Sequence, residues 1–252
     1  MKVVCKTDIG RSRDVNEDNC GEYKFKNNWH LLIVADGMGG HNAGEVASSI
    51  AVKSIAENIS RHMEHNIDND GVVHILREAI IEANHSIYEN SINDSKCSGM
   101  GTTVTAAMVS NNDMLIGHVG DSRAYLLEAG NLRKVTNDHS LVAELVKSGT
   151  ITEDEANHHP QKNIITRVLG VEDEVEVDIE KVHIDTEDIA FLCTDGLTNM
   201  LSDMEIQDIL LHSDDINLAA DKLVEKANIM GGHDNITVII AKITCSDGEV
   251  RQ

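Results

Sequence analysis

An α+β fold is predicted, with two packed antiparallel sheets and helices on their outer faces. Three observations predict it. Apolar runs of strand length lie at both ends of the chain and in its middle. Two pairs of segments with helical apolar spacing interrupt them. The middle strands are joined by tight polar turns, too short for parallel crossovers. At 252 residues, the chain is long enough to bury a core of this kind.

The elements follow in order. Runs 3–7, 21–25 and 31–35 read as strands. Residues 43–63 follow as a helix, with Val46, Ile50, Ile55 and Ile59 at helical spacing. A turn at 66–71 leads to a second helix over 72–92, with Leu76, Ile80, Ala83 and Ile87 on one face. Strands at 102–109, 114–119 and 124–127 are separated by Asn111-Asn112-Asp113 and Gly120-Asp121-Ser122, the signature of a meander. Residues 139–170 read as short helical pieces rich in polar residues and histidine, suited to a surface flap. Strands return at 175–184 and 189–193. Helices over 203–212 and 216–228 precede a last strand at 236–243. With one proline and no low-complexity stretch, no linker is visible. A single domain over 1–244 is expected, with 139–170 as a flap subdomain and 245–252 as a tail.

Composition narrows the function. Twenty-one basic residues against 43 acidic give a net charge of −22. Such a chain is a poor partner for nucleic acid or an anionic membrane surface, and the acidity favours a soluble monomer. Aromatic residues make up only 2%, so a base-stacking platform is not expected. Five cysteines at wide, irregular spacing argue against a disulfide framework and a zinc knuckle. With no signal peptide and no membrane-length apolar run, a reducing cytoplasm is the expected location.

The chemistry lies in four aspartates at separated turns: Asp36, Asp121, Asp195 and Asp234. The first three end apolar runs at 31–35, 115–119 and 189–193. The fourth precedes the run at 236–241. Carboxylates at strand ends can converge, and once together they repel unless something positive lies between them. Hard oxygen donors point to Mg²⁺ or Mn²⁺ rather than zinc, in more than one ion, and so to metal-assisted hydrolysis. Beside such a site the fork of Arg13 suits a phosphate, while Glu17 and Asp18 suit waters around the ions.

Other readings of these residues are weaker. The glycines after Asp36 miss the dinucleotide fingerprint, which needs glycine where Asn42 stands, and no Walker lysine follows. Cys5 to Ser12 fits the cysteine-phosphatase pattern Cys-x5-Arg-Ser, but Asp8 would sit in its anion cradle and no helix pattern follows. Asn66-x-Asp68-x-Asp70-Gly71 starts like a calcium loop, yet Arg77 stands at its bidentate position. His158 and His159 lack a third ligand. Ser122 and Ser140 lack a His–Asp pair. Met38 and Met100 are expected in or beside the core.

Taken together, the motifs resemble the protein phosphatase 2C family, the metal-dependent Ser/Thr phosphatases, in its bacterial single-domain branch. They are Asp8-x-Gly10-x-x-Arg13-x-x-Asn16-Glu17-Asp18, Ala35-Asp36-Gly37-Met38-Gly39-Gly40, Gly101-Thr102-Thr103, Gly120-Asp121-Ser122-Arg123, Asp138-His139-Ser140-Leu141, Thr166-Arg167-x-Leu169-Gly170, Thr194-Asp195-Gly196-Leu197 and Gly231-Gly232-x-Asp234-Asn235-Ile236-Thr237. They stand in family order over about residues 3–243.

The resemblance implies an αββα sandwich with two Mn²⁺ or Mg²⁺ ions in the cleft between its sheets. Asp36 would bridge both ions and the Gly37 carbonyl would join the second. Asp195 and Asp234 would hold the first, and Asp121 with Asp195 a third. Arg13 would bind substrate phosphate, with Glu17, Asp18 and Asn235 around the cofactor. Met38 occupies the position of the eukaryotic general-acid histidine, which leaves His41 as a candidate acid. The implied reaction is direct hydrolysis of phosphoserine and phosphothreonine by a metal-bridging hydroxide. Implied partners are phosphorylated proteins, among them a bacterial transmembrane Ser/Thr kinase. A catalytically silent phosphoprotein-binding module is the alternative, and it would be marked by loss of a metal aspartate.

Overall fold

Leu31, Leu32, Ile33, Val34 and Ala35 are all solvent-inaccessible. A strand can bury five residues in a row only when both of its faces are covered. The computed structural model, which describes residues 1–39, 43–63, 67–110, 112–157 and 159–244, shows how they are covered.

In chain order the elements are strands β1 (Lys2–Asp8), β2 (Asp18–Lys24) and β3 (His30–Met38), then helices α1 (Ala43–His62) and α2 (Asn69–Asn93). Strands β4 (Gly101–Thr102), β5 (Val104–Val109), β6 (Asp113–Val119), β7 (Arg123–Glu128) and β8 (Asn131–Lys134) follow. Next come the short helices α3 (Leu141–Lys147) and α4 (Glu153–Asn157), and strands β9 (Asp178–His183) and β10 (Ile189–Cys193). Helices α5 (Asp195–Thr198), α6 (Asp203–Leu211) and α7 (Ile216–Ile229) precede strand β11 (Ile236–Lys242).

Two sheets form. One runs β1-β11-β10-β7-β8 and the other β2-β3-β5-β6-β9, with β4 pairing the end of β3. All pairings are antiparallel. Side chains alternate between faces with period two, and the core divides accordingly. Leu31, Ile33 and Ala35 face α1 and α2. Leu32 and Val34 meet Ile239 and Ala241 between the sheets. Val238 and Ile240 face the cluster that holds α6 and α7. The layers are therefore helix, sheet, sheet, helix, as expected.

Several local features differ from the sequence reading. Strand 102–109 breaks at Thr103, whose N–H donates to the Asp36 carbonyl at 2.9 Å. The 175–184 strand shortens to β9. The edge strand β8 was not anticipated, because its residues are largely polar and exposed. Helix α2 starts at Asn69, capped by Asp68, which accepts from the Gly71 N–H at 2.9 Å. That assigns the calcium-like stretch to a helix start; Asn66 lies outside the described residues. Met100 is buried but Met38 is 39% exposed, so Met38 is not a core residue. The cysteine reading also needs correction: Cys5 and Cys20 form a disulfide, while Cys97 and Cys193 are free. Spacing along the chain could not show that β1 and β2, each at the end of a different sheet, lie side by side.

The antiparallel register brings the ends of β3, β6 and β10 and the starts of β2 and β11 to one rim. All four turn aspartates lie on that rim.

Candidate active site

Asp36 lies near the end of β3, directly opposite Asp18 on β2. Threonines fix its backbone. Its N–H donates to Thr103 Oγ1 at 3.0 Å, and its carbonyl accepts from Thr102 Oγ1 at 2.9 Å. Gly37 donates its N–H to the Glu17 carbonyl at 3.1 Å. A Cβ at Gly37 would overlap the carbonyl oxygens of Gly44 and Glu17, so only glycine fits. The Glu17 carboxyl lies against Gly44 at the start of α1, and its pKa is raised, chiefly by burial.

The other sheet supplies Asp195 at the start of α5 and Asp234 just before β11. Asp195 Oδ2 accepts from Asn199 Nδ2 at 2.9 Å, and its carboxyl is close enough to Asp36 to repel it. Asp18 is buried, with Oδ2 accepting from Thr194 Oγ1 at 2.8 Å. Asp121, also buried, follows β6.

Burial and mutual repulsion mark this group. Burial, with Asp195 and Asp234 adding repulsion, pushes Asp18 up to about 7 against the hydrogen bonds from Thr237 and Thr194. Burial, then Asp195 and Asp138, takes Asp121 to about 7. Asp36 lies well above the usual carboxylate range, from burial and then Asp18, Asp195 and Asp121. Asp195 is raised by burial and Asp234. Carboxyls perturbed in this way hold protons or need cations.

Asp18 Oδ1, Asp121 Oδ1 and Asp195 Oδ1 are buried without any hydrogen-bond partner. Three orphaned carboxylate oxygens at one rim fit a hard divalent cation, and the absence of His or Cys among them disfavours zinc. The acids adjoin pairwise: among the described residues, no group of three or more His, Cys, Asp or Glu forms a ready metal cluster. One reason is visible at Asp234. Its Oδ2 accepts from Arg13 Nη2 at 2.8 Å, and its Oδ1 from the Asn235 N–H at 2.8 Å. The expected phosphate-binding arginine and the expected metal ligand are thus paired with each other.

Asn235 is buried and spends its amide on the loop between β1 and β2. Its Oδ1 accepts from the Glu17 N–H at 2.8 Å, and its Nδ2 donates to the carbonyls of Ile9 and Val15 at 2.9 and 3.0 Å. That makes it a positioning residue for the segment carrying Arg13 and Glu17. The threonines on Asp18 and Asp36, and Asn199 on Asp195, were given no such role by the sequence reading. Thr102, Thr103, Thr194 and Thr237 were visible only as motif letters. His41 lies outside the described residues, as does Gly40.

The competing sites do not assemble. Cys5, in β1, is disulfide-bonded to Cys20 in β2. Ser122 is buried and hydrogen-bonded to Thr103 at 2.8 Å. Ser140 caps α3. His159 Nδ1 accepts from the Gln161 N–H at 3.1 Å, and His158 lies outside the described residues. The segment 139–170 is tied down at its two ends. His139 donates its N–H to the Gly120 carbonyl at 2.7 Å and accepts the Gly120 N–H on Nδ1 at 3.0 Å. Arg167 binds Asp178 at 2.7 Å.

An acid-rimmed seam in an αββα sandwich, with an arginine beside it, defines a class of phosphoric monoester hydrolases, and known proteins match it. The family profile described as Protein phosphatase 2C covers residues 9–221. The serine/threonine phosphatase stp of Listeria welshimeri is 44% identical over 242 residues, 96% of each chain. The crystal structure of Stp1 from Staphylococcus aureus superimposes with a TM-score of 0.90 at 36% identity, covering 97% of this chain and 95% of that one. The catalytic domain of PstP, solved with two manganese ions, gives a TM-score of 0.84 at 34% identity, covering 97% and 98%. The chain belongs to the protein phosphatase 2C family of bacterial Ser/Thr protein phosphatases. It is an enzyme of that class.

Proposed function

We propose that this phosphatase hydrolyses phosphoserine and phosphothreonine in proteins directly, using Mn²⁺ or Mg²⁺. The observation that carries the reading is the set of orphaned oxygens of Asp18, Asp121 and Asp195 at one rim. Asp36, Asp195, Asp234 and the Gly37 carbonyl would hold two ions, and Asp121 with Asp195 a third. Glu17 and Asp18 back the set, and Asn235 positions the loop they share. When bound, the ions neutralise the carboxylates and supply Lewis-acid activation of water and phosphate. The manganese-bound PstP catalytic domain supports the choice of ion.

The chain's own residues do the rest. Arg13, freed from Asp234, would take two oxygens of the phosphate and orient it. Among the described residues no cysteine or serine at the rim is set to attack phosphorus. Cys5 is bonded to Cys20 and Ser122 is buried, while burial pushes the Cys193 thiol far up. Water is therefore the nucleophile, and no phosphoenzyme forms. His41 is proposed as the acid for the leaving hydroxyl on its sequence position. The segment 139–170 is proposed as a flap beside the site, within one catalytic domain over 1–244. Phosphoproteins are the proposed partners, including a bacterial transmembrane Ser/Thr kinase, with the enzyme acting as a cytoplasmic monomer. Among the described residues no helix is long and apolar enough to cross a membrane.

The test is phosphate release from p-nitrophenyl phosphate and a phosphothreonine peptide in Mn²⁺, then in excess EDTA. Activity lost in EDTA and restored by Mn²⁺ is expected. Activity indifferent to EDTA would overturn the reading.

A further inference from the structure

The Cys5–Cys20 disulfide crosses between the two sheets. β1 is the end strand of one sheet and β2 that of the other. Val3 and Cys20 both pack against the core between the sheets. Alternation along β1 puts Cys5 on the face of Val3 and Thr7, and alternation along β2 puts Cys20 on the face of Asp18. Thr7 accepts from Asn16 Nδ2 and shares a hydrogen bond with Thr237, each at 2.8 Å. Asp18 accepts from Thr194. The disulfide thus lies one side-chain step along each strand from the polar layer beneath the site. The bonded residues are 15 apart in sequence, and between them lie Arg13, Asn16, Glu17 and Asp18. Cys5 is exposed and Cys20 half-buried, so small thiols can reach the bond.

We propose that Cys5 and Cys20 form a reversible redox-modification site that governs how firmly the Arg13 loop is held, and through it the affinity for the phosphate ester. The reactants are small disulfides and small thiols. In oxidation, the Cys5 thiolate attacks one sulfur of a small disulfide such as oxidised glutathione and expels one glutathione thiolate. The Cys20 thiolate then attacks the Cys5 sulfur and expels the second. Two protein thiols are oxidised, one small disulfide is reduced to two thiols, and each thiolate formed takes up a proton released by a cysteine. Excess thiol reverses both steps. In the oxidised form the loop is closed at both ends. In the reduced form the hydrogen bonds of Asn235, Arg11, Asn16 and Ser48 and the Arg13–Asp234 pair still hold it, but without the covalent closure, and the binding-competent geometry is populated part of the time. If that fraction is about one third, the apparent affinity falls about threefold.

The kinetic arm rests on the phosphatase reading, while the chemical arm does not. The Mn²⁺-supplied protein is reduced with dithiothreitol, freed of reductant, and treated with oxidised glutathione. Peptide mapping is expected to find Cys5 linked to Cys20, and thiol titration to find two fewer thiols than the five of the reduced chain. Hydrogen exchange over residues 9–17 is expected to slow on oxidation. KM for a phosphothreonine peptide is expected to be about threefold lower in the oxidised form, with kcat nearly unchanged. The C5S/C20S double variant should behave as the reduced form in both states, and C97S should keep the response. Failure of the linked peptide to form overturns the proposal. So does a link that leaves KM and exchange over 9–17 unchanged, and this comparison needs only the unmodified chain. Inactivity in both states with the link formed and exchange slowed would overturn the phosphatase reading and leave the redox site standing.

Discussion

Replacing Asn235 with alanine should loosen the Arg13 loop without touching a proposed metal ligand. The side chain is 3% exposed and makes three hydrogen bonds to backbone groups more than 200 residues away in sequence. A hydrogen bond of this kind is worth about 1 kcal/mol net, and a partner left buried and unpaired costs about 1–3 kcal/mol. Ile9 is exposed and Val15 half-buried, so their carbonyls recover water, whereas the Glu17 N–H just before β2 recovers less. The sum is about 3 kcal/mol, which for a chain of this length lowers Tm by about 6–12 °C. Because the loop carries Arg13, KM for a phosphopeptide should rise while kcat at saturation falls less. Thermal unfolding with and without Mn²⁺, together with steady-state kinetics, measures both. A Tm within about 2 °C of the parent and an unchanged KM would refute the claim that this amide holds the loop.

Two further outcomes are expected. In EDTA, Asp18 and Asp121 keep their protons to about pH 7, whereas carboxyls of the unfolded chain ionise near their ordinary value of 3.8. The folded state then binds more protons between these limits, so Tm should fall as pH rises from about 4 to about 7. Mn²⁺ should raise Tm more at pH 8 than at pH 5, and an equal rise at both, followed by calorimetry, would count against these carboxyls as ligands. Arg13→Ala removes charge-assisted hydrogen bonds worth about 1.5–3 kcal/mol, so KM should rise about tenfold or more. Loss of the exposed Arg13–Asp234 pair should leave the unfolding free energy within about 1 kcal/mol of the parent, and an unchanged KM in initial-rate assays would remove Arg13 from substrate binding.

What could be read from the sequence follows from the range of the forces involved. Leu31 to Ala35 announced a strand because an unbroken apolar run carries that signal, while its burial on both faces came only with the structure. Asp36, Asp121 and Asp195 announced a rim because each stands where an apolar run stops. The pairing of side chains from distant strands was not legible. Nothing in the spacing of Arg13 and Asp234 shows that they meet, nor that Asn235 reaches back to Ile9, Val15 and Glu17. Those contacts exist because β1 pairs with β11, a consequence of global topology. Cys5 and Cys20 were misread for the same reason: an odd cysteine count says little once two end strands of different sheets come together. β8 was missed because an exposed edge strand needs no apolar alternation; a turn through Ala129 and Gly130, both at positive φ, is enough to start it.

The electrostatics of the rim also constrain how the enzyme must work. Asp36 faces Asp18 within its own sheet and Asp195 from the other, so its charge cannot be relieved by moving within either layer. Only an occupant of the seam can relieve it. Protons do so below about pH 7 at Asp18 and Asp121, and divalent cations binding there as proposed would have to displace those protons. Arg13 now answers part of this charge through Asp234. Were cations to fill that role, as proposed, the guanidinium would be free to meet a phosphate. On the proposed assignment, metal loading and substrate readiness would be one event, because Asp234 would exchange its pairing with Arg13 for a cation and leave the guanidinium free for the ester.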